Sequence, residues 1–476
     1  MDFWSLVRGL PSGLLAAFVM STSVIASLRR YVWQPSTIIV LALVLGFNVL
    51  VEFDWVQKSF PLIQKGQLGF HRILCWTTPR PLNAKWVRTV EITDQSHQVG
   101  GITDRNFLAT LINNARKAPA EVIVLDFKFQ APAALSEGQD YSSRKSQDTA
   151  LVDAIKNAAD DGIPVIVPCW LEKLSWREWK RLPDFFNDSD FRLADSNGQC
   201  PLLRSTCKPH PADAPVEPTS GPGEVPPPPP ACVRIGNING PADARHIPLV
   251  SRTLGSRTGD TDPGAISLAL AAATAHEDAI NLCPRTSEKP IIANAIKHRE
   301  FVVGSFIPAT GFQTIAAENL FDGDLAAIQN CRGRIVLIGG KWRDDSGNAE
   351  PVDTHDTPVG PMAGMYIHAN YIEALLDDRY QRIVPLPFGL AFDLLVGILL
   401  YIYFHEAANL SGKLKVLGVF LLPLLASYVI FANFNWYLDF ILPLMLCFAH
   451  LIFELGRSYQ KLRHLEGAAH SLGGSE

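Results

Sequence analysis

Apolar residues follow two patterns along this chain. Near both ends they form unbroken runs, and in between they recur with the periods of amphipathic strands and helices. Residues 37–53, TIIVLALVLGFNVLVEF, contain only Asn48 and the terminal Glu52 as strongly polar members, with Trp33 and Trp55 as flanking interfacial anchors. Three more runs, 388–404, 414–433 and 436–453, follow near the C-terminus, separated by loops too short to hold a domain. Backbone amides in hydrocarbon must be paired internally, so each run is expected to be a transmembrane helix, with Pro423 and Pro443 producing kinks. Asp393 and Asp439 lie near run ends, where a carboxylate can snorkel to the interface. Residues 10–28 are weaker and serine-rich; an uncleaved additional membrane segment is favoured over a signal peptide, whose removal would leave Arg29 and Arg30 on the outer face.

Charge gives the runs a direction. Arg29 and Arg30 precede the first run, Lys413 and Lys415 sit in the first C-terminal loop, and Arg457, Lys461 and Arg463 follow the last run. Placing all three groups in the cytoplasm puts the central region outside. The expected organisation is therefore an N-terminal membrane region (1–53), an extracytoplasmic domain (54–386), three transmembrane helices (387–455) and a short cytoplasmic tail (456–476), in the plasma (inner) membrane.

The central region alternates strand and helix signals. Residues 87–94 read as a strand, 104–118 as an amphipathic helix, 121–129 as a buried strand, 148–162 as a helix and 163–171 as a strand. The alternation resumes with a helix at 264–276, strands at 301–308 and 334–340, and a helix at 364–378. This order predicts an α/β domain with a mostly parallel or mixed sheet that accommodates all of these strands, with right-handed crossovers, flanked by α-helical transmembrane segments. The proline-rich stretch 208–231 cannot join a ladder and is expected to be a surface insertion.

Composition narrows the function. A hydrophobic content of 47% fits partial residence in lipid, and a net charge of −5 gives no basic face for nucleic acid. The eight cysteines contain no CxxC pair, so zinc-type clustering is absent, although Cys200, Cys207 and Cys232 bracket the proline-rich loop and could form a disulfide in an oxidising compartment. No GxSxG, HExxH or phosphate-cradling glycine loop occurs, so neither an enzyme nor a bound cofactor is expected.

The strand ending in EITD, the Asp104-Arg105 pair of DRNFLATL, VIVLDFKF, GNINGPADARHIPL (236–249), GRIVLIGG and DTHDTPVGPMAGMYIHANYIEALLDD together resemble the type-two CHASE domain, an extracytoplasmic sensory module of bacterial signalling receptors. One span before the domain and three after it match that family's order. The chain departs from the family's acidic-glycine-arginine turn, which here is Asp243-Ala244-Arg245. The resemblance implies a sensor subunit that detects an extracytoplasmic signal. The tail after the last run is too short for an effector domain, so the output is expected on a separate cytoplasmic chain. Assembly with copies of itself is compatible with that role, as is the alternative of a membrane scaffold.

Ligands of open α/β sheets bind at the carboxyl ends of strands. Asp94 and Asp126 end two strands expected to be neighbours, and Arg105 opens the intervening helix. The three either line a ligand mouth or form a structural ion pair or helix cap. Arg245 is a further ligand-binding candidate. Asp353, with Thr354, His355, Asp356 and Thr357 beside it and His368 downstream, offers oxygen and nitrogen ligands for a polar ligand, a metal or a hydrolytic base. The bland alternative is a turn followed by a hydrogen-bonded core histidine.

Overall fold

The computed structural model describes residues 61–77, 81–93, 98–99, 102–127, 141–169, 171–173, 179–181, 233–237, 246–248, 250–251, 265–281, 300–341 and 353–385, with 387–389, 391–392, 395, 421–434, 436–438 and 459–460 towards the C-terminus. Residues His71–Ile383 form one compact unit; Met1–Phe70 with Val384–Glu476 form another. The apolar runs at 10–28 and 37–53, most of 388–404 and of 436–453, the proline-rich stretch and its three cysteines lie outside the described residues. Residues Leu421–Phe434, overlapping the run at 414–433, form a helix. No helix among the described residues is long and apolar enough to cross a membrane.

The elements of the domain are, in chain order, α1 (Pro61–Thr77), β1 (Val87–Ile92), α2 (Arg105–Lys117), β2 (Val122–Asp126), α3 (Tyr141–Asp160), β3 (Val165–Cys169), β4 (Val233–Asn237), β5 (His246–Pro248) and α4 (Leu268–Asn281). They continue with β6 (Glu300–Val303), β7 (Gln313–Ala316), α5 (Ala317–Phe321), α6 (Leu325–Asn330), β8 (Ile335–Gly340), β9 (Thr354–Thr357), β10 (Gly360–Ala363), α7 (Gly364–Leu376) and β11 (Tyr380–Ile383). Six strands make one sheet in the order β7-β1-β8-β2-β3-β4, and every neighbouring pair is parallel.

Alternate residues of a strand face opposite sides of its sheet, and both sides here are apolar. Val87, Val122, Val124, Ile335 and Leu337 pack towards α4 and α7. Val90, Ile123, Leu125, Val336 and Ile338 pack towards α2, α3 and α5. The sheet is therefore buried between two helical layers, which is why its central strands read as continuous apolar runs rather than alternating ones.

Two expectations change. Strands β1 and β2 are not neighbours: β8, more than two hundred residues after β2, lies between them and pairs with both. The segment expected as a strand at 301–308 does not join the main sheet. Only Glu300–Val303 is extended, and it pairs antiparallel with β5 and with β11. Antiparallel pairing needs no crossover helix, so these short strands form their own small sheet.

The residues just after β6 tie together the two ends of the compact unit. His71 of α1 hydrogen-bonds through Nε2 to the Val303 carbonyl at 2.9 Å, and the Cys75 thiol reaches the Gly304 carbonyl at 3.3 Å. The Gly304 N–H donates to the Arg379 carbonyl at 2.7 Å, and the Arg379 guanidinium donates to the Ser305 carbonyl at 2.6 Å.

Candidate functional site

The carboxyl edge of the sheet is organised by one rung. Glu91 of β1 stands opposite Gly339 of β8, and Gly339 stands opposite Asp126 of β2. Sharing a rung in parallel strands, the three positions point to the same face, that of α7. Glycine in the middle lets the helix come close, because a Cβ at Gly339 would lie 2.9 Å from the Met365 Cβ. The first turn of α7 therefore sits over Gly339, and side chains of the next residues reach down on either side of it.

On the β1 side, the Tyr366 hydroxyl donates to the Glu91 carboxylate, which also receives the Lys341 ammonium at 3.2 Å. Tyr366 Oη lies 3.2 Å from Thr314 Oγ1, and Thr314 Oγ1 lies 3.1 Å from Thr89 Oγ1. Burial, reinforced by the adjacent Glu91 carboxylate, pushes the Tyr366 phenol well above its ordinary range. It is a fixed neutral donor, and this half of the rung is a closed network.

On the β2 side the partners do not close. His368 Nε2 faces Asp126 Oδ1 at 3.8 Å, with side-chain exposures of 11% and 12%, a separation too long for a hydrogen bond. Burial raises the Asp126 carboxyl above its ordinary value, His368 opposes that shift and the nearby Asp353 carboxylate adds to it. Asp353 enters through the β9–β10 hairpin, whose strands pair Thr354 with Ala363, and its carbonyl accepts the Gly364 N–H at 2.9 Å. Its carboxylate receives His355 Nε2 at 2.7 Å. That bond holds Asp353 below its ordinary value and raises His355. A Cβ at Gly364 would collide with the Asp353 carboxylate, so glycine opens α7 here for want of space.

The sequence candidates separate accordingly. Asp126, Asp353 and His368 come together. Arg105 does not join them: it is buried against Asp148 of α3, while Asp104 caps α2 by accepting the Asn106 N–H at 2.9 Å. The conspicuous Asp104-Arg105 pair thus starts and anchors a helix. Asp94 and Arg245 lie outside the described residues. Glu91, Tyr366 and Lys341 escaped the list of candidates, although strand alternation from Val87 places Glu91 on the same face as Thr89. Asp356 is exposed on β9. Among the described residues no three His, Cys, Asp or Glu side chains converge as metal ligands.

The Asp126–His368 gap sets an imidazole nitrogen opposite a carboxylate oxygen, on a framework fixed by α7. At its other end the helix is locked down, because the buried Glu373 carboxylate accepts the N–H groups of Trp86 at 2.7 Å and Val87 at 2.8 Å.

The family model of the CHASE2 domain matches residues 37–403. No curated protein and no solved structure matches the chain. The profile covers most of the sequence, including every element of the parallel sheet and the whole of the site, and the chain belongs to the CHASE2 family of sensory extracellular domains.

Proposed function

We propose that this chain is a bacterial membrane sensor, a receptor rather than an enzyme. Its extracytoplasmic α/β domain detects a signal at the carboxyl edge of the sheet and passes it through membrane helices to a cytoplasmic partner. The observation that carries the proposal is the open Asp126–His368 pair beneath the first turn of α7. A nearly buried carboxylate and imidazole held apart are poorly suited to stabilising the fold and well suited to receiving a polar group.

A mechanical route to the membrane supports it. Displacement of α7 is felt at Glu373, which grips the start of β1, and at Arg379, just beyond the helix, which holds Ser305. The same 303–305 segment holds the His71–Thr77 part of α1. The chain leads back from α1 to the apolar run at 37–53, and from β11 onward to the run at 388–404. A signal that binds one arrangement of α7 better than another shifts the helix arrangement by that difference in affinity.

The test uses cysteine pairs engineered into the 414–453 region of the full chain in native membranes, with His368→Gln and Asp126→Asn as substitutes for the signal. Altered disulfide cross-linking in either variant, with protease digestion of the domain in intact spheroplasts, is the expected outcome. Unchanged cross-linking in both, or a domain protected in spheroplasts and cut in inside-out vesicles, overturns it.

A further inference from the structure

We infer that the group taken up between Asp126 and His368 is a hydroxyl, and that the ligand is a small polyol or sugar. The inference rests on the sensor site proposed above and deepens it by naming the ligand's chemistry.

The donor pattern of the gap carries the inference. His368 is 8% exposed, and its Nδ1 is buried with no hydrogen-bond partner among the described residues. A buried N–H without an acceptor is more costly than a buried lone pair without a donor, so the proton belongs on the other nitrogen. Nε2 is then a donor, whether the ring is neutral or doubly protonated. Opposite it, 3.8 Å away, stands the Asp126 carboxylate, an acceptor. Asp353 lies close enough to act electrostatically on Asp126.

An atom that fills a gap between a donor and an acceptor must itself both accept and donate. A hydroxyl does this, receiving Nε2–H on oxygen and giving its own proton to Asp126. An ammonium has no lone pair for His368, and an ionised carboxylate has no proton for Asp126 and meets a second carboxylate in Asp353. Contacts of about 2.8–2.9 Å to each side span a 3.8 Å separation with a bent geometry at the bridging oxygen. Lys341, just beyond β8 at the same edge, is engaged by Glu91 at 3.2 Å.

The experiment measures binding to the full chain in lipid nanodiscs by calorimetry, with myo-inositol, D-glucose and D-ribose as hydroxyl probes and putrescine and succinate as amine and carboxylate controls. At least one hydroxyl probe is expected to saturate. Its affinity should fall about tenfold or more in His368→Leu and Asp126→Ala, as expected when a hydrogen bond to a buried charged group is lost. His368→Gln, which retains an N–H donor, should recover part of it, and circular dichroism verifies that each variant is folded. Saturation by putrescine or succinate with the same dependence on Asp126 and His368 overturns the ligand class and leaves the sensor site standing. Failure of every hydroxyl probe to bind, with cross-linking still altered by Asp126→Asn, overturns the ligand class alone. Binding indifferent to both substitutions, together with unaltered cross-linking, overturns the site as well.

Discussion

Arg105 and Asp148 form an ion pair between α2 and α3, with side chains only 2% and 3% exposed. Removing one partner strands a charge where water cannot reach it. Arg105→Ala is expected to destabilise the domain by about 3–5 kcal/mol, whereas Arg105→Met combined with Asp148→Leu is expected to be far milder. Denaturant midpoints of the three proteins decide the matter; an Arg105→Ala cost no larger than that of the double substitution would contradict a structural role.

Asp126 is expected to oppose folding in its charged form. Its carboxyl is raised by burial above the ordinary 3.8, so the folded state binds the proton more tightly than the unfolded state. Stability from this group therefore grows as pH falls through the raised value and levels off below the ordinary one. Asp126→Asn should raise the melting temperature at pH 7 and flatten that part of the pH profile. A lower melting temperature in Asp126→Asn would show a carboxylate that the fold needs.

The His355–Asp353 pair has the opposite sign on each side of its range. His355 is raised and Asp353 lowered by their mutual hydrogen bond. The pair contributes fully between the ordinary carboxyl and imidazole values. It weakens as pH rises through the His355 value and again as pH falls through that of Asp353. Both groups are substantially exposed, so the contribution stays below about 1 kcal/mol. Gly364→Ala, which crowds the Asp353 carboxylate, should return the His355 titration seen by NMR towards its ordinary value with little loss of stability.

Glu373 is fully buried and satisfies two backbone donors at the start of β1. Glu373→Ala leaves both N–H groups without an acceptor and is expected to cost about 2–5 kcal/mol. Glu373→Gln keeps one acceptor oxygen and should lose less than half as much. Hydrogen exchange at Trp86 and Val87, accelerated in the alanine variant, is the local measurement.

The local pattern made the layers legible but not their arrangement. The periods at 87–94, 104–118, 121–129 and 364–378 located β1, α2, β2 and α7 within a few residues, because each buries a strongly apolar face. The strand Gln313–Ala316 was invisible, since only Ile315 among its four residues is buried. Strand order was equally hidden: nothing local to RIVLIGG says that it separates β1 from β2. That insertion also defeated the expectation that β1 and β2 are neighbours. Asp126 was readable as a polar residue at a strand end, and Asp353 and His368 as a polar segment with a histidine downstream on an apolar helix. Arg105 looked the same in sequence because a helix anchor and a ligand contact use the same chemistry.

The late arrival of the strand Ile335–Gly340 has a consequence for biogenesis. For more than two hundred residues of synthesis after Asp126, β1 and β2 lack the neighbour that pairs with both. Such long-range pairing is slow, and the waiting strands expose unsatisfied, sticky borders. The edges that β1 and β2 offer to that strand therefore stay unpaired until residue 335 has been made.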